Sequence, residues 1–301
     1  MLWGIDLGGT KIEGVVLKSA DDPQVVVRKR LPTEQEGGYD HILRQIHKLI
    51  RQMEREIGSK AEHIGIGTPG IFDPQSKKLK NSNTTCFNGR PFKADLEHII
   101  DMPIVMANDA NCFALAEASM GAVKSLNSRP EVVFGVIMGT GVGGGLVVNG
   151  KILHGRNGLG GEWGHNFLDE SGGQCYCGKI GCVETVISGP ATQQYYTRIS
   201  GKQKDLRDIA AMHASGKDKN ASLTINRLTH FFGKAISVVI DIVDPDVVVI
   251  GGGVGNIDDL YSDGVASAAN FVFNDRLDTL FLKPKLGDSA GVFGAAFLCA
   301  H

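Results

Sequence analysis

The sequence has no apolar run of about 18 residues, so no membrane-crossing helix is predicted. It also has no basic leader with an apolar stretch and a cleavage site. Leu2-Trp3-Gly4-Ile5-Asp6 runs straight into a strand pattern, and a cytoplasmic setting with reduced thiols is expected. Strong charge of either sign is missing too. Thirty-one Lys and Arg against 33 Asp and Glu give a net charge of −2, which argues against nucleic acid or an anionic membrane as the main partner. What is abundant is glycine: the 40 glycines sit mainly in short clusters, which suggests ligand-binding turns. The remaining composition, 42% hydrophobic and 21% charged, is that of an ordinary globular protein, and 301 residues suit two domains.

Residues 3–17 read as strand, Gly-rich turn, strand, with Asp6, Gly8, Gly9, Thr10 and Lys11 at the turn. No helix pattern follows the glycines, which counts against a dinucleotide-binding fingerprint or a Walker A loop. A hairpin turn can instead present backbone N–H groups as an anion nest. Asp6 is then placed to hold hydrated Mg²⁺, and Lys11 to reach a phosphate; the plainer alternative is a structural hairpin. Residues 132–153 repeat this grammar, with Gly139, Thr140, Gly141, Val142, Gly143, Gly144 and Gly145 between two strand patterns. One such unit in each half of the chain suggests a duplicated fold. A third glycine turn, Gly251, Gly252 and Gly253, ends the strand pattern 247–250 and suits close approach by a flat nucleoside.

Helical spacing of apolar residues predicts helices over 39–57, ended by Gly58, and over 222–243, broken at Asp244-Pro245. A small-residue helix is predicted from Asp109 to a C-cap at Gly121, and another over 287–301 that returns to the first domain. Asp109 follows the strand pattern 103–107. It is read either as a helix N-cap or as a carboxylate base at the carboxyl end of a strand. The polar stretch 80–95 holds Asn83 and Asn88, read as turn formers or as partners of sugar hydroxyls.

Residues 160–184 contain His165, Cys175, Cys177 and Cys182, bracketed by Glu162 and Glu184. Three thiolates and one imidazole form a closed tetrahedral set for a structural Zn²⁺, with buried free thiols or a disulfide as the alternative. A ligating His turns its second ring nitrogen to a partner, here expected to be a nearby carboxylate. Glu162, His165 and Glu184 thus make a candidate hydroxyl-binding set, or, for the two Glu, solvated loop charges. Cys86, Cys112 and Cys299 are scattered and read as small core residues.

Taken in order, Asp6–Lys11, Asn108–Asn111, Gly139–Gly145, Gly161–His165, the Cys175/Cys177/Cys182 cluster with Glu184, and Gly251–Gly253 resemble the ROK family of sugar kinases, over nearly the whole chain. The resemblance implies an α/β, two-domain hexokinase/actin-like (ribonuclease H-like) fold. The expected domains are 1–109 plus 287–301, and 110–286, the latter carrying the zinc motif and the adenosine site. It implies ATP-dependent phosphorylation of a hexose, with Asp109 as general base and Asn108, Glu162, His165 and Glu184 on the sugar. Both Gly-rich hairpins and Gly251–Gly253 would bind Mg-ATP. The stretch 80–92, with Asn83 and Asn88, looks most like the fructokinase/mannokinase branch, so fructose or mannose going to the 6-phosphate is the first expectation. N-acetylglucosamine or glucose comes next. The expected partner is a small sugar and the expected assembly a homodimer. A sugar-sensing, repressor-like protein without a DNA-binding domain is the other class. The family's repressors carry an N-terminal helix-turn-helix, for which the hairpin starting at residue 3 leaves no room.

Overall fold

Two glycine-tipped hairpins begin the two larger sheets. The computed structural model describes residues 1–82 and 84–300. Its strands are β1 (Leu2–Leu7), β2 (Lys11–Leu17), β3 (Val25–Pro32), β4 (Ile64–Thr68), β5 (Ile71–Asp73), β6 (Lys78–Lys80), β7 (Ile104–Asn108), β8 (Val132–Met138), β9 (Val142–Val148), β10 (Lys151–Ile152), β11 (Val247–Gly251) and β12 (Leu280–Leu282). The helices are α1 (Gly38–Ile57), α2 (Phe92–Ile100), α3 (Asp109–Ser119), α4 (Val183–Ile187), α5 (Gly189–Ser200), α6 (Leu206–Ala214), α7 (Lys219–Val243), α8 (Asp263–Ala269) and α9 (Ala290–Phe297). Among the described residues no helix is long and apolar enough to cross a membrane.

The chain divides into two units: residues 1–125, 150–160 and 285–301, and residues 126–149 with 161–284. In the first, the sheet order is β3-β2-β1-β4-β7. The hairpin strands pair antiparallel, while β1, β4 and β7 run parallel. Helix α1 lays Ile42, Ile46, Leu49, Ile50 and Met53 on one face of this sheet, all fully buried. Each such side chain contributes about 1.5–3 kcal/mol of burial. Gly58 ends α1 in the left-handed conformation, φ 79°, as the sequence predicts.

Helix α9 covers the opposite face at backbone distance. A Cβ on Gly65 of β4 would lie 1.8 Å from the Ala295 carbonyl oxygen, and one on Gly294 would lie 1.8 Å from that of Cys112 in α3. Only hydrogen side chains allow this approach. That packing is why the first unit extends beyond residue 109: α3 is bound to α9 and cannot belong with the sheet that follows it. Segment 150–160 also joins the first unit, where Gly158 packs on the Phe72 carbonyl oxygen. Helix α3 stops at Ser119 and its C-cap is Met120, not Gly121. Gly121 instead passes over Glu117, whose carboxylate accepts N–H groups from Ala122 (2.7 Å) and Leu286 (2.9 Å).

The second unit repeats the pattern in the order β9-β8-β11-β12, with β8–β9 antiparallel and β8–β11–β12 parallel. Its core is built by Val136, Met138, Val248 and Ile250 from the sheet, and by Leu228, Phe232 and Ile236 from α7. Asp244, φ 44°, ends α7 before Pro245. Of the scattered cysteines, Cys112 and Cys299 are buried and Cys86 is half-buried.

Candidate functional site

In the first unit the carboxyl ends of β1, β4 and β7 share one edge. Asp6 pairs with Gly67 and Thr68 with Asn108, and Asp109 follows. Ligands of open α/β sheets gather at such an edge. Gly67 leaves it unfilled: a Cβ there would lie 3.2 Å from Cys112 Sγ and 3.4 Å from Asp6 Oδ1. Burial, then the charges of Asp109 and Glu13, push the half-buried Asp6 carboxyl up to about 6, against the pull of Lys11. A carboxylate so hindered from ionising is one that a divalent cation stabilises.

Solvent reaches Asp109, yet the protein crowding its carboxyl raises its pKa above the ordinary value, opposed by the Ala110 N–H on Oδ1 at 2.8 Å. The helix cap is supplied by the preceding residue. Asn108 Oδ1 accepts the Asn111 N–H at 2.8 Å. Of the two readings the sequence leaves open for Asp109, the cap is thus filled by its neighbour.

The tip Gly8-Gly9-Thr10 is gripped by its carbonyls. Thr33 donates its hydroxyl to Gly8 O (2.7 Å) and its N–H to Thr10 O (3.0 Å), and the Gln35 amide donates to Gly9 O. Gly8 N–H closes the turn on Lys11 O at 2.9 Å. Lys11 lies 3.6 Å from the buried Glu13, which Arg28 (2.5 Å) and Arg30 (3.0 Å) also hold. Burial alone would raise the Glu13 pKa, but Arg30 and Arg28 together bring it below the ordinary value. Glu13 therefore has two arginines besides Lys11, and the lysine can turn to an anion without leaving a buried charge unpaired.

In the second unit the hairpin tip is only Gly139-Thr140-Gly141, because Val142 to Gly145 already belong to β9 and pair with β8. Gly139 N–H donates to Gly141 O (2.9 Å), and Gly139 O accepts from Gly189 N–H at the start of α5 (2.8 Å). Val142 N–H donates to Glu184 Oε2 at 2.9 Å, and Trp163 Nε1–H donates to Gly143 O at 3.0 Å. Gly252 sits beside this tip with φ 82°, and a Cβ on it would lie 2.2 Å from Met138 O. A Cβ on Gly253 would meet nothing within 4 Å, so that glycine presents open backbone.

His165, Cys175, Cys177 and Cys182 converge, with their ligand atoms all within 4.8 Å of one another. His165 Nδ1 lies 3.6 Å from Cys175 Sγ, and Cys177 Sγ lies 3.6 Å from Cys182 Sγ. A tetrahedral Zn²⁺ with bonds of about 2.3 Å has edges of about 3.8 Å, so the donor set fits that ion in both chemistry and span. The other imidazole nitrogen, Nε2, meets the Tyr176 hydroxyl at 3.0 Å, not the carboxylate that the sequence suggested. Cys182 is also the N-cap residue of α4, so the cluster sets the start of the short helix that carries Glu184.

A model of the ROK family matches residues 2–301. The chain belongs to the ROK family. It is similar to the N-acetyl-D-glucosamine kinases of Vibrio parahaemolyticus, 34% identical over 99% of each chain, and of Yersinia pseudotuberculosis, 35% identical over 99% of this chain and 98% of the relative. Among solved structures it is similar to a ROK hexokinase from Thermus thermophilus, with TM-score 0.87 and 30% identity over 99% of this chain and 97% of the other. The two sheets are those of the hexokinase/actin-like fold.

Within this ROK sugar kinase, Asp6, Lys11, Asn108 and Asp109 come together in the first unit. Glu162, His165, Glu184, the second hairpin and Gly251–Gly253 lie in the second. Asn83 lies outside the described residues. Asn88 is spent on its own loop: Oδ1 accepts Ser82 N–H (2.8 Å) and Nδ2 donates to Ser82 O (3.1 Å), which is the turn-forming role. Thr33, Gln35, Gly67 and Tyr176 escaped the sequence reading. Nothing marks Thr33 or Gln35 locally, since their partners are backbone atoms about 25 residues away. Tyr176 lies between two cysteines of the cluster, and that position is the signal that could have found it.

Proposed function

We propose that the protein transfers the γ-phosphoryl group of ATP to a hexose hydroxyl, with Asp109 as the general base. The observation that carries this reading is the placing of Asp109: it follows directly on the parallel strand β7 in a ROK fold, solvent reaches it, and Asn108 relieves it of capping. Its raised pKa brings the base nearer to neutrality, where proton transfer is more effective. Phosphoryl transfer otherwise needs positioning and charge neutralisation. Lys11 and the amides of the two hairpin tips supply both to the phosphates, and Gly251–Gly253 leave room for the nucleoside. Mg²⁺ arriving with ATP would neutralise phosphate charge, with Asp6 as the protein carboxylate to hold it. Zn²⁺ on His165, Cys175, Cys177 and Cys182 would fix the loop geometry around α4.

For the sugar, Asn108, Glu162 and Glu184 are the proposed hydroxyl partners. His165 joins them only if Tyr176 yields its Nε2. The substrate order given by stretch 80–92 changes. Support for fructose or mannose rests on that stretch, whereas two curated relatives of nearly equal length are N-acetyl-D-glucosamine kinases. N-acetylglucosamine is the first substrate in this reading, before glucose, mannose and fructose, with the 6-hydroxyl as acceptor. Steady-state kcat/KM for these four hexoses with Mg-ATP tests it. N-acetylglucosamine should lead the panel. Turnover of none of them would overturn the kinase reading, and a lead by fructose or mannose would restore the other order.

A further inference from the structure

The segment that carries the His165 and cysteine cluster and the second glycine-tipped hairpin grip one another. Trp163 Nε1–H donates to Gly143 O, and a Cβ on Gly164 would lie 2.0 Å from Val142 O. Two residues after Cys182 of that cluster, Glu184 returns a carboxylate to the same hairpin and accepts the Val142 N–H through Oε2. This is the one hydrogen bond of the Glu184 side chain among the described residues, so Oε1 has none there. The carboxylate also stands directly over the tip glycine: a Cβ on Gly141 would lie 2.5 Å from Glu184 Oε2.

From this geometry we propose that Glu184 is a positioning residue that couples the two substrates, one oxygen setting the phosphate hairpin at Val142 and the other receiving a hexose hydroxyl. The inference rests on the reading of Glu184 as a hexose ligand and adds a consequence to it. An ionised carboxylate can accept on both oxygens at once, and each N–H or O–H partner fixes the torsions that the other needs. A hexose hydroxyl on Oε1 therefore holds Oε2 against the Val142 amide and stiffens the tip for the phosphates. An anchored tip in turn presents Oε1 to the sugar. Such linkage is reciprocal: whatever factor the sugar adds to nucleotide affinity, the nucleotide adds to sugar affinity. It gives Gly141 a second requirement besides crowding of the nest. A side chain there must push Glu184 away, and the far end of a flexible Glu yields without unfolding the hairpin.

Two glycines of the same tip separate this from a merely structural role. Gly141→Ala displaces the Glu184 carboxylate, whereas a Cβ on Gly139 meets nothing within 4 Å. Hexose binding is measured by calorimetry without nucleotide, using N-acetylglucosamine, glucose, mannose and fructose as probes. It is then repeated with a saturating non-hydrolysable ATP analogue. Gly141→Ala should weaken the best-bound hexose by roughly tenfold, the loss of one charge-assisted hydrogen bond. It should also reduce the tightening of hexose by nucleotide towards unity. Gly139→Ala should weaken the ATP analogue and leave hexose affinity without nucleotide within about twofold of wild type, below the effect of one hydrogen bond. If wild type and Glu184→Gln differ in hexose affinity while Gly141→Ala matches wild type, the coupling is overturned and the ligand role survives. Equal losses in Gly139→Ala and Gly141→Ala also overturn it. If wild type binds none of the four hexoses, the kinase reading fails and takes the inference with it.

Discussion

Replacing Asp6 by Asn should stabilise the protein while impairing its use of Mg-ATP. Burial, together with Asp109 and Glu13, holds the Asp6 carboxyl at about 6, above its ordinary 3.8. In the unfolded chain the group ionises near 3.8, so between these two values the folded protein binds more protons. Stability associated with Asp6 is therefore highest at low pH and falls as pH rises towards and through 6. Above pH 6 the ionised carboxylate costs the fold about two pKa units, at most about 3 kcal/mol, and about 1–3 kcal/mol once its partial exposure is counted. Asn keeps the shape and cannot ionise. Urea unfolding at pH 7.5 without nucleotide should show Asp6→Asn more stable by that amount, and at pH 4.5 the gain should shrink to less than half. The same variant should lose Mg-nucleotide affinity, since the penalty removed is the one a bound cation would relieve. An Asp6→Asn protein no more stable than wild type at pH 7.5, or equally stabilised at both pH values, would refute the electrostatic argument.

Protein purified without chelator should carry one Zn²⁺ per chain by elemental analysis. Cys177→Ser should lose it together with thermal stability, because the cluster sets the start of α4; unchanged zinc content would rule this out. Gly252→Ala should destabilise by about 1–3 kcal/mol and raise the KM for ATP, since it needs positive φ and would strike Met138 O. A variant with wild-type unfolding and kinetics would contradict the close approach. Asn108→Ala should cost about 1 kcal/mol in urea unfolding as the lost cap of α3, and an unchanged midpoint would show that the cap contributes nothing.

Much of this was legible because short-range chemistry wrote it. Hairpin glycines, the Cys and His spacing, and the amphipathic faces of α1 and α7 are local patterns, and each folds where its period says. The Glu184 bond to Val142 was not legible, because 42 residues separate the partners and backbone amides carry no sequence signature. The extent of the first unit is not written locally for a related reason. Small residues in α3 and α9 read as tight packing but do not say against what, and Gly65 and Gly294 settle that only in three dimensions. The His165 partner is not legible either, because a hydroxyl and two carboxylates compete over similar sequence distances. Asn88 shows the reverse: composition alone favoured a turn role, and Ser82 takes both polar atoms of its amide.

Whether Asp109 is the base of a hexose kinase is decided by Asp109→Asn. Because Asn108 caps α3 and burial disfavours the ionised Asp109 carboxyl, the variant should fold at least as stably as wild type at neutral pH and keep its affinity for a non-hydrolysable ATP analogue. Its kcat with the preferred hexose should fall by about two to four orders of magnitude, the usual share of a general base. A kcat within a few-fold of wild type would contradict the claim and move the search for the base to Glu162 or Glu184.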